Sequence, residues 1–155
     1  MNKVLYIKAN IKPEGQSRTF RISDNFIEEY KKNNPNDEVT VLDLYKEGID
    51  FLKPEDLQAV FGEKTEESKK HPILKYAYQI AEADKIVIAT PMWNLGTPAI
   101  VKAYFDYVSV TGITFKYTAQ GPVGLCKASK ALIVSGRGGD YSNPITKELE
   151  MGERY

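Results

Sequence analysis

The sequence predicts an α/β domain in which helices cover both faces of a parallel sheet. Two observations predict this fold class. Four short, continuously apolar runs lie along the chain, and such runs are typical of parallel strands buried on both faces. Stretches with apolar residues at helical spacing separate these runs, as in alternating β and α units. We expect a single domain over residues 1–155.

The first half of the chain contains two of the predicted strands. The first lies at residues 4–7, whose sequence is VLYI, and a polar loop follows it. From Ser17 the apolar residues recur at helical spacing, until the sequence NNPN at 33–36 ends the helix. The second strand is predicted at residues 39–42.

The middle of the chain contains short helical pieces and then the clearest strand. The helical pieces are predicted at 54–61 and 72–83, and the charged stretch 63–70 between them is typical of a solvated loop or helix face. Residues 85–89, with the sequence KIVIA, form the third predicted strand.

The second half continues the alternation. The helix after the third strand is predicted at 98–108, with Thr97 as its N-cap and Pro98 as its first helical residue. The fourth strand is predicted at 131–134, and a further helix at 145–155. A doubly wound sheet normally continues into another strand, so we expect a C-terminally incomplete domain.

Composition excludes several classes of partner. The 21 lysines and arginines balance the 21 aspartates and glutamates, which argues against a nucleic-acid or anionic-membrane surface. No apolar stretch approaches the ~20 residues of a membrane span, and the N-terminus lacks a signal-peptide core. Cys126 is the one cysteine, so no disulfide framework is possible, and we expect a cytoplasmic protein.

Three loops at the carboxyl ends of predicted strands contain unusual residues, and ligands bind at such ends. The first begins the first helix, where free N–H groups, the hydroxyls of Ser17 and Thr19, and Arg18 suit a phosphate. Ordinary helix capping by Ser17 explains the same residues without a ligand. No G-x-G-x-x-G is present, which disfavours a dinucleotide-binding domain and leaves Asp43 as a solvated strand end.

The second loop, at 91–98, follows the clearest strand and is stiffened by a proline at each end. Trp93 and Asn94 stand at its tip, as the rim of a flat flavin ring requires. The alternative is that Met92, Trp93 and Leu95 fill the core beneath the loop. The third loop, at 135–141, has glycines that let the backbone approach a flat ligand or adopt positive φ, although a flexible turn explains them equally well.

Taken together, the loops favour a mononucleotide with a phosphate at one end and a flat ring at the other, and FMN fits best. His71 and Cys126 lack the partners of a catalytic or metal site. We therefore predict no metal, and no catalytic side chain, because a flavin supplies the chemistry itself.

The motifs QSRT at 16–19, ATPMWN at 89–94, TGITFKYTAQGPVGL at 111–125 and GRGG at 136–139 resemble the FMN-dependent NADH-azoreductases, flavodoxin-like relatives of NAD(P)H:quinone oxidoreductases. The resemblance implies a doubly wound, three-layer αβα fold with strand order 2-1-3-4, the fifth strand being absent here. It also implies a homodimer that binds FMN, takes hydride from NADH by a ping-pong route, and reduces quinones or aromatic azo compounds.

The resemblance also assigns site residues. The stretch 112–117 resembles a hairpin that forms the substrate mouth with the partner subunit. Members often have phenylalanine where Leu95 stands, and asparagine or serine where Gly96 stands. The cofactor-binding residues fall at the phosphate end, along the ring and at its far edge: Asn10, Ser17, Arg18 and Thr19; Met92, Trp93, Asn94 and Leu95; Gly136, Arg137, Gly138 and Gly139.

Two alternatives remain at this point. One is a non-catalytic FMN-binding electron carrier, although such carriers are usually strongly acidic and this chain has zero net charge. The other is an inactive, truncated relative that keeps the fold without the cofactor.

Overall fold

The structure, a computed structural model, describes residues 1–13 and 15–152. In chain order its strands are β1 (Lys3–Lys8), β2 (Glu38–Asp43), β3 (Lys85–Pro91), β4 (Phe115–Thr118), β5 (Gly121–Gly124) and β6 (Lys130–Gly136). β2, β1, β3 and β6 form one parallel sheet in that order, which confirms the predicted order 2-1-3-4 for the long strands. β4 and β5 form a separate antiparallel hairpin.

The helices are α1 (Arg18–Asn33), α2 (Leu57–Phe61), α3 (Leu74–Glu82), α4 (Ala99–Val108) and α5 (Pro144–Lys147). Two 3₁₀ helices, Pro54–Asp56 and Glu66–Lys70, account for part of the irregular region between β2 and α3. The charged stretch predicted as a loop or helix face thus contains one of these short turns.

The two faces of β1 enter two different apolar cores because side chains alternate along a strand. Val4 and Tyr6 pack with Ile27 of α1 on one face. Leu5 and Ile7 pack on the other face, in a larger core to which α3 and α4 contribute Leu74, Ala77, Val101 and Tyr104. The sheet is therefore the middle of three layers, as predicted.

The outer strands are less covered than the sequence suggested. Leu132 and Ile133 of β6 are 37% and 48% exposed, and Val41 of β2 is 51% exposed, so the expectation of burial on both faces is wrong for these two strands. Both lie at the ends of the four-stranded sheet, where a strand has one neighbour instead of two among the described residues.

Two predicted helix boundaries also differ. α4 begins at Ala99, and Pro98 is its N-cap with ψ of 146°, so Thr97 does not cap the helix and Pro98 is not helical. The last helix, predicted over 145–155, is the four-residue α5. After Lys147 the N–H groups of Leu149 and Glu150 bond to carbonyls three residues back, and that of Met151 bonds to the Leu95 carbonyl in another loop. Residues 153–155 of that prediction lie outside the described residues.

The hairpin expected at 112–117 lies further along the chain. Its strands pair Phe115 with Gly124 and Thr118 with Gly121, so residues 112–117 supply the approach and the first strand only. Among the helices that the structure describes, none is long and apolar enough to cross a membrane.

Candidate functional site

The parallel sheet places three loops at one edge, after β1, β3 and β6. We call residues 10–13 and 15–19 the phosphate loop, residues 93–96 the ring turn and residues 136–139 the glycine loop. Gly136 joins the glycine loop to the start of α1 and to Met92, the residue before the ring turn. Its carbonyl accepts a hydrogen bond of 2.9 Å from the N–H of Met92, and its Cα lies against the hydroxyl of Thr19. A Cβ at position 136 would collide with that hydroxyl, so the junction requires glycine.

The phosphate loop is closed by side chains that the sequence had suggested as ligands. Ser17 is the N-cap of α1, and its Oγ accepts bonds from the N–H of Phe20 at 3.1 Å and from Nδ2 of Asn10 at 2.9 Å. Oδ1 of Asn10 accepts a bond from the N–H of Lys12. Capping by Ser17 is therefore real, and the Ser17 hydroxyl still has a proton to donate because it is an acceptor in both bonds.

The start of α1 retains the donors that an anion requires. The N–H groups of Arg18 and Thr19 have no hydrogen-bond partner in the part of the chain that the structure describes. They lie at the positive end of a 16-residue helix. The Arg18 side chain is exposed, whereas Thr19 is buried with its hydroxyl toward the glycine loop. This arrangement suits a phosphate held mainly by main-chain groups.

The ring turn is a two-residue hairpin turn with unusual backbone angles. Trp93 and Gly96 exchange main-chain hydrogen bonds of 2.8 and 3.1 Å. Asn94 and Leu95 between them have φ of 51° and 69°, as in a type I′ turn. Asparagine tolerates this conformation, but leucine rarely adopts it, and such strain is concentrated at functional sites.

The side chains of this region are not core residues. Met92 and Trp93 are partly buried, Leu95 is 40% exposed, and none of them belongs to either apolar core of the described residues. Asn94 is exposed. The N–H groups of Asn94 and Leu95 have no partner among the residues described, so they are available to an acceptor on a ligand.

The glycine loop is open. Arg137, Gly138 and Gly139 are exposed, and a Cβ on Gly138 would meet nothing within 4 Å. None of the glycines in this loop has a positive φ, so that reason for their presence is wrong. The other reason, close approach to a flat ligand, stays a prediction; the close contact that the structure shows is that of Gly136 with Thr19.

A cleft of about 600 Å³ adjoins the phosphate loop on the side of β2. Asn10, Ser17, Asp43 and Tyr45 are among the residues that line it. Asp43 pairs with Lys46 at 3.3 Å and accepts the N–H of Tyr45. These local bonds fit its interpretation as a strand end. The ring turn and the glycine loop are not part of this cleft.

The structure also describes His71 and Cys126, the two other candidates that the sequence analysis considered. Nδ1 of His71 accepts a hydrogen bond from the N–H of Ile73 at 3.3 Å. Burial raises the pKa of the Cys126 thiol, which opposes formation of the reactive thiolate. No group of three or more potential metal ligands occurs among residues 1–13 and 15–152.

A further element, not predicted from the sequence, lies at this edge. The N–H of Met151 donates a hydrogen bond of 2.8 Å to the carbonyl of Leu95, and Gly152 lies against Met92 and Gly96. Only Gly152, a helix breaker inside the predicted last helix, could have indicated that the chain leaves the helix here.

Comparisons with known proteins agree with this geometry. The family model described as "Flavodoxin-like fold" matches residues 2–155. An FMN-dependent NADH:quinone oxidoreductase of Clostridium perfringens is 66% identical over 155 residues, which are 100% of this chain and 77% of the relative. A protein of the same name from Clostridium beijerinckii is 69% identical over 142 residues, 92% of this chain and 72% of the relative.

Solved structures show the same likeness. An azoreductase from Bacillus anthracis superposes with a TM-score of 0.86 at 40% identity, over 100% of this chain and 78% of that chain. A second structure from Bacillus anthracis, an FMN-dependent NADH-azoreductase in complex with FMN, has a TM-score of 0.86 at 29% identity, again over 100% and 78%.

Proposed function

The chain belongs to the flavodoxin-like fold family, and from that premise we propose that it is an FMN-dependent oxidoreductase that takes hydride from NADH and reduces quinones or aromatic azo compounds. The observation that supports this most directly is the junction at Gly136, where the start of a long helix and Met92, the residue before the strained turn, both contact the glycine loop. A phosphate and a flat ring joined by a short chain would span these three parts.

At the phosphate end, we propose that the N–H groups of Arg18 and Thr19 bind the phosphate oxygens. The Ser17 hydroxyl adds a donor, and Asn10 fixes that hydroxyl through its amide. The exposed Arg18 side chain adds a charge-assisted contact. The residues present fit a dianion because the free donors lie at the positive end of α1.

At the ring end, we propose that the N–H groups of Asn94 and Leu95 bind polar atoms on the ring edge, while Met92 and Trp93 lie beside its apolar part. Fixed donors of this kind stabilise negative charge that develops on a bound group. Gly136, Arg137, Gly138 and Gly139 form the far edge. FMN, when bound, supplies the two-electron centre that accepts hydride from NADH and passes it to the acceptor.

We propose a ping-pong order, in which NADH and the acceptor use the same open side of the site in turn. We also propose a homodimer. The hairpin β4–β5 supports this, because it exposes apolar side chains on both faces, with Tyr117, 72% exposed, on one face and Val123 and Leu125 on the other. A cytoplasmic location fits the exposed free thiol of Cys126 and the use of NADH.

The test is reconstitution of the purified chain with FMN, followed by assays of NADH oxidation with a naphthoquinone and with an aromatic azo dye. We expect a flavin spectrum in the gel-filtered protein, oxidation of NADH that requires the acceptor, and parallel lines in double-reciprocal plots. Bound flavin without NADH oxidation would indicate an electron carrier instead. Failure to retain FMN would contradict the proposed function altogether.

A further inference from the structure

We infer that residues 148–152, the C-terminal strap, position the ring turn, and that Met151 and Gly152 are positioning residues for the bound flavin. This inference rests on the proposed function. Its physical basis is a backbone conformation that the ring turn does not favour by itself, together with contacts from the strap that hold it.

The ring turn needs outside support because of Leu95. A φ of 69° places this leucine in the left-handed region, where its Cβ crowds its own carbonyl group. Residues in such conformations persist only where their surroundings restrict them. The exchange of hydrogen bonds between Trp93 and Gly96 closes the turn and holds the Leu95–Gly96 peptide through its N–H, but the peptide between Asn94 and Leu95 makes no hydrogen bond among the described residues.

The strap adds a second restraint. The Met151 N–H donates to the Leu95 carbonyl at 2.8 Å, so the peptide that follows the strained residue is held at its carbonyl by the strap and at its N–H by Trp93. That carbonyl has no other hydrogen bond among the described residues. The bond therefore acts directly on the orientation of the turn.

Close packing keeps the strap in place. A Cβ on Gly152 would lie 3.7 Å from the carbonyl carbon of Gly96 and 3.8 Å from Cγ of Met92. It would also lie 3.0 Å from Oε1 of Glu150, which itself accepts a 2.9 Å hydrogen bond from the Gly152 N–H. Glu150 is only 6% exposed, so the strap is folded tightly against the turn.

The consequence concerns the N–H groups of Asn94 and Leu95. If the strap is released, the turn is held less firmly and Leu95 can return to a negative φ by rotation of the peptide before it, which turns the Leu95 N–H away from its present direction. FMN affinity and the flavin midpoint potential then change, because both depend on donors held in fixed positions at the ring edge.

The experiment compares Met151→Pro with Met151→Ala in the full chain. Both remove the exposed Met151 side chain, but only proline removes the N–H that bonds to Leu95. We expect Met151→Pro to bind FMN about tenfold more weakly than Met151→Ala, the effect of one main-chain hydrogen bond, and to have a different midpoint potential. Equal affinities and equal potentials would overturn the inference.

A second change separates strain from general damage. Leu95→Gly makes positive φ favourable, so in that background the proline substitution should have an effect of about twofold or less. If Met151→Pro does not fold, Gly152→Val, which displaces the strap by its side chain, takes its place under the same criteria. An undiminished effect in the Leu95→Gly background would contradict positioning through the turn.

The sole tryptophan, Trp93, gives a measurement that needs no flavin. In the apo-protein, Met151→Pro should shift the Trp93 emission to longer wavelength relative to Met151→Ala, because the ring turn opens to water. If the wild-type chain does not bind FMN, the proposed function fails, and this emission still decides whether the strap holds the turn. Unchanged emission would overturn the inference.

Discussion

The hydroxyl oxygen of Thr19 lies so close to the Cα of Gly136 that a side chain at position 136 cannot be accommodated without movement. Thr19 is in the first turn of α1, and Gly136 is the last residue of β6, so this contact joins two elements that are 117 positions apart. The same glycine accepts the N–H of Met92. Crowding at Gly136 therefore acts on the start of α1 and on Met92, the residue before the ring turn.

Gly136→Ala should destabilise the protein by about 1–3 kcal/mol, the usual cost of overpacking, and should weaken FMN binding. Thermal unfolding and FMN titration measure the two effects. Gly138→Ala is the matched control, since its Cβ meets nothing within 4 Å and should change stability by less than about 0.5 kcal/mol.

The cause of that loss can be isolated with a second substitution. Thr19→Ala removes the hydroxyl, after which the nearest remaining Thr19 side-chain atom is Cβ at 3.6 Å from the added methyl. The double variant Gly136→Ala with Thr19→Ala should therefore regain much of the lost stability. Additive losses in the double variant would show that the hydroxyl is not what excludes a side chain.

Replacing both Ser17 and Thr19 by alanine should weaken FMN binding by a few kcal/mol, the range for hydrogen bonds to charged groups. Loss of the Ser17 cap should also cost about 1 kcal/mol of stability. Riboflavin, which lacks the phosphate, should bind the wild type and the variant almost equally. Thr65→Ala with Ser68→Ala, a hydroxyl pair at the start of another helical turn, is the control. Unchanged FMN affinity would show that these hydroxyls do not bind the phosphate and that Ser17 serves only to cap the helix.

The fold was predictable because the apolar runs at 4–7, 39–42, 85–89 and 131–134 have a simple physical cause. Strands inside a parallel sheet need apolar side chains on both faces, and this need is visible locally. The exposure of apolar side chains in β6 could not be predicted from the sequence, because it depends on which strand lies at the end of the sheet. The residues of the three loops were visible as motifs, again because they are contiguous.

The contact of Gly136 with Thr19 and the hydrogen bond from Met151 to Leu95 could not be predicted from contiguous residues in this way. Each joins residues that are far apart in the chain, and each depends on backbone geometry instead of residue type. Leucine at a positive φ is contrary to its propensity, so no local rule predicts the ring turn at Leu95.

Trp93 should report FMN binding directly. We expect its fluorescence to be strongly quenched in the FMN-bound protein and to recover when FMN is removed, since it lies in the proposed ring site. Trp93→Ala should alter the flavin potential or substrate preference more than it alters stability, because Trp93 is outside both cores. A stability loss of about 3–5 kcal/mol with a normal flavin spectrum would indicate a packing role instead.

Asp37 should make stability depend on pH in the acidic range. The hydroxyl of Tyr30, the backbone N–H and side-chain amide of Asn2, and nearby Lys85 hold the pKa of this carboxyl well below its usual value of about 3.9. The unfolded chain therefore binds a proton before the folded chain does. The stabilisation is present above pH of about 4 and is lost as the pH falls toward the lowered pKa.

Melting temperatures of the wild type and Asp37→Asn between neutral pH and pH of about 3 test this dependence. Asparagine cannot titrate, so the difference between the two proteins should be largest near neutrality and should shrink below pH of about 4. Asp24→Asn is the control, because the Asp24 carboxyl on α1 accepts a hydrogen bond from the Tyr6 hydroxyl and pairs with Lys8 of β1. A constant difference over the whole range would show that the Asp37 charge is not the cause.

The outer edge of β6 leads to the last prediction. Among the described residues this strand pairs with β3 alone, and Leu132 and Ile133 are exposed beside its free main-chain groups. Exposed apolar edges associate with other strands, because unpaired N–H and C=O groups find partners there. We expect that fusing the C-terminal residues of the Clostridium perfringens relative, of which this chain covers 77%, will cover the edge, raise the melting temperature and give one sharply defined oligomer.

Ile133→Lys in the 155-residue chain should separately reduce concentration-dependent association, since a charge opposes strand pairing. If light scattering finds that Ile133→Lys and the fusion both leave association unchanged, the chains do not associate through the edge of β6.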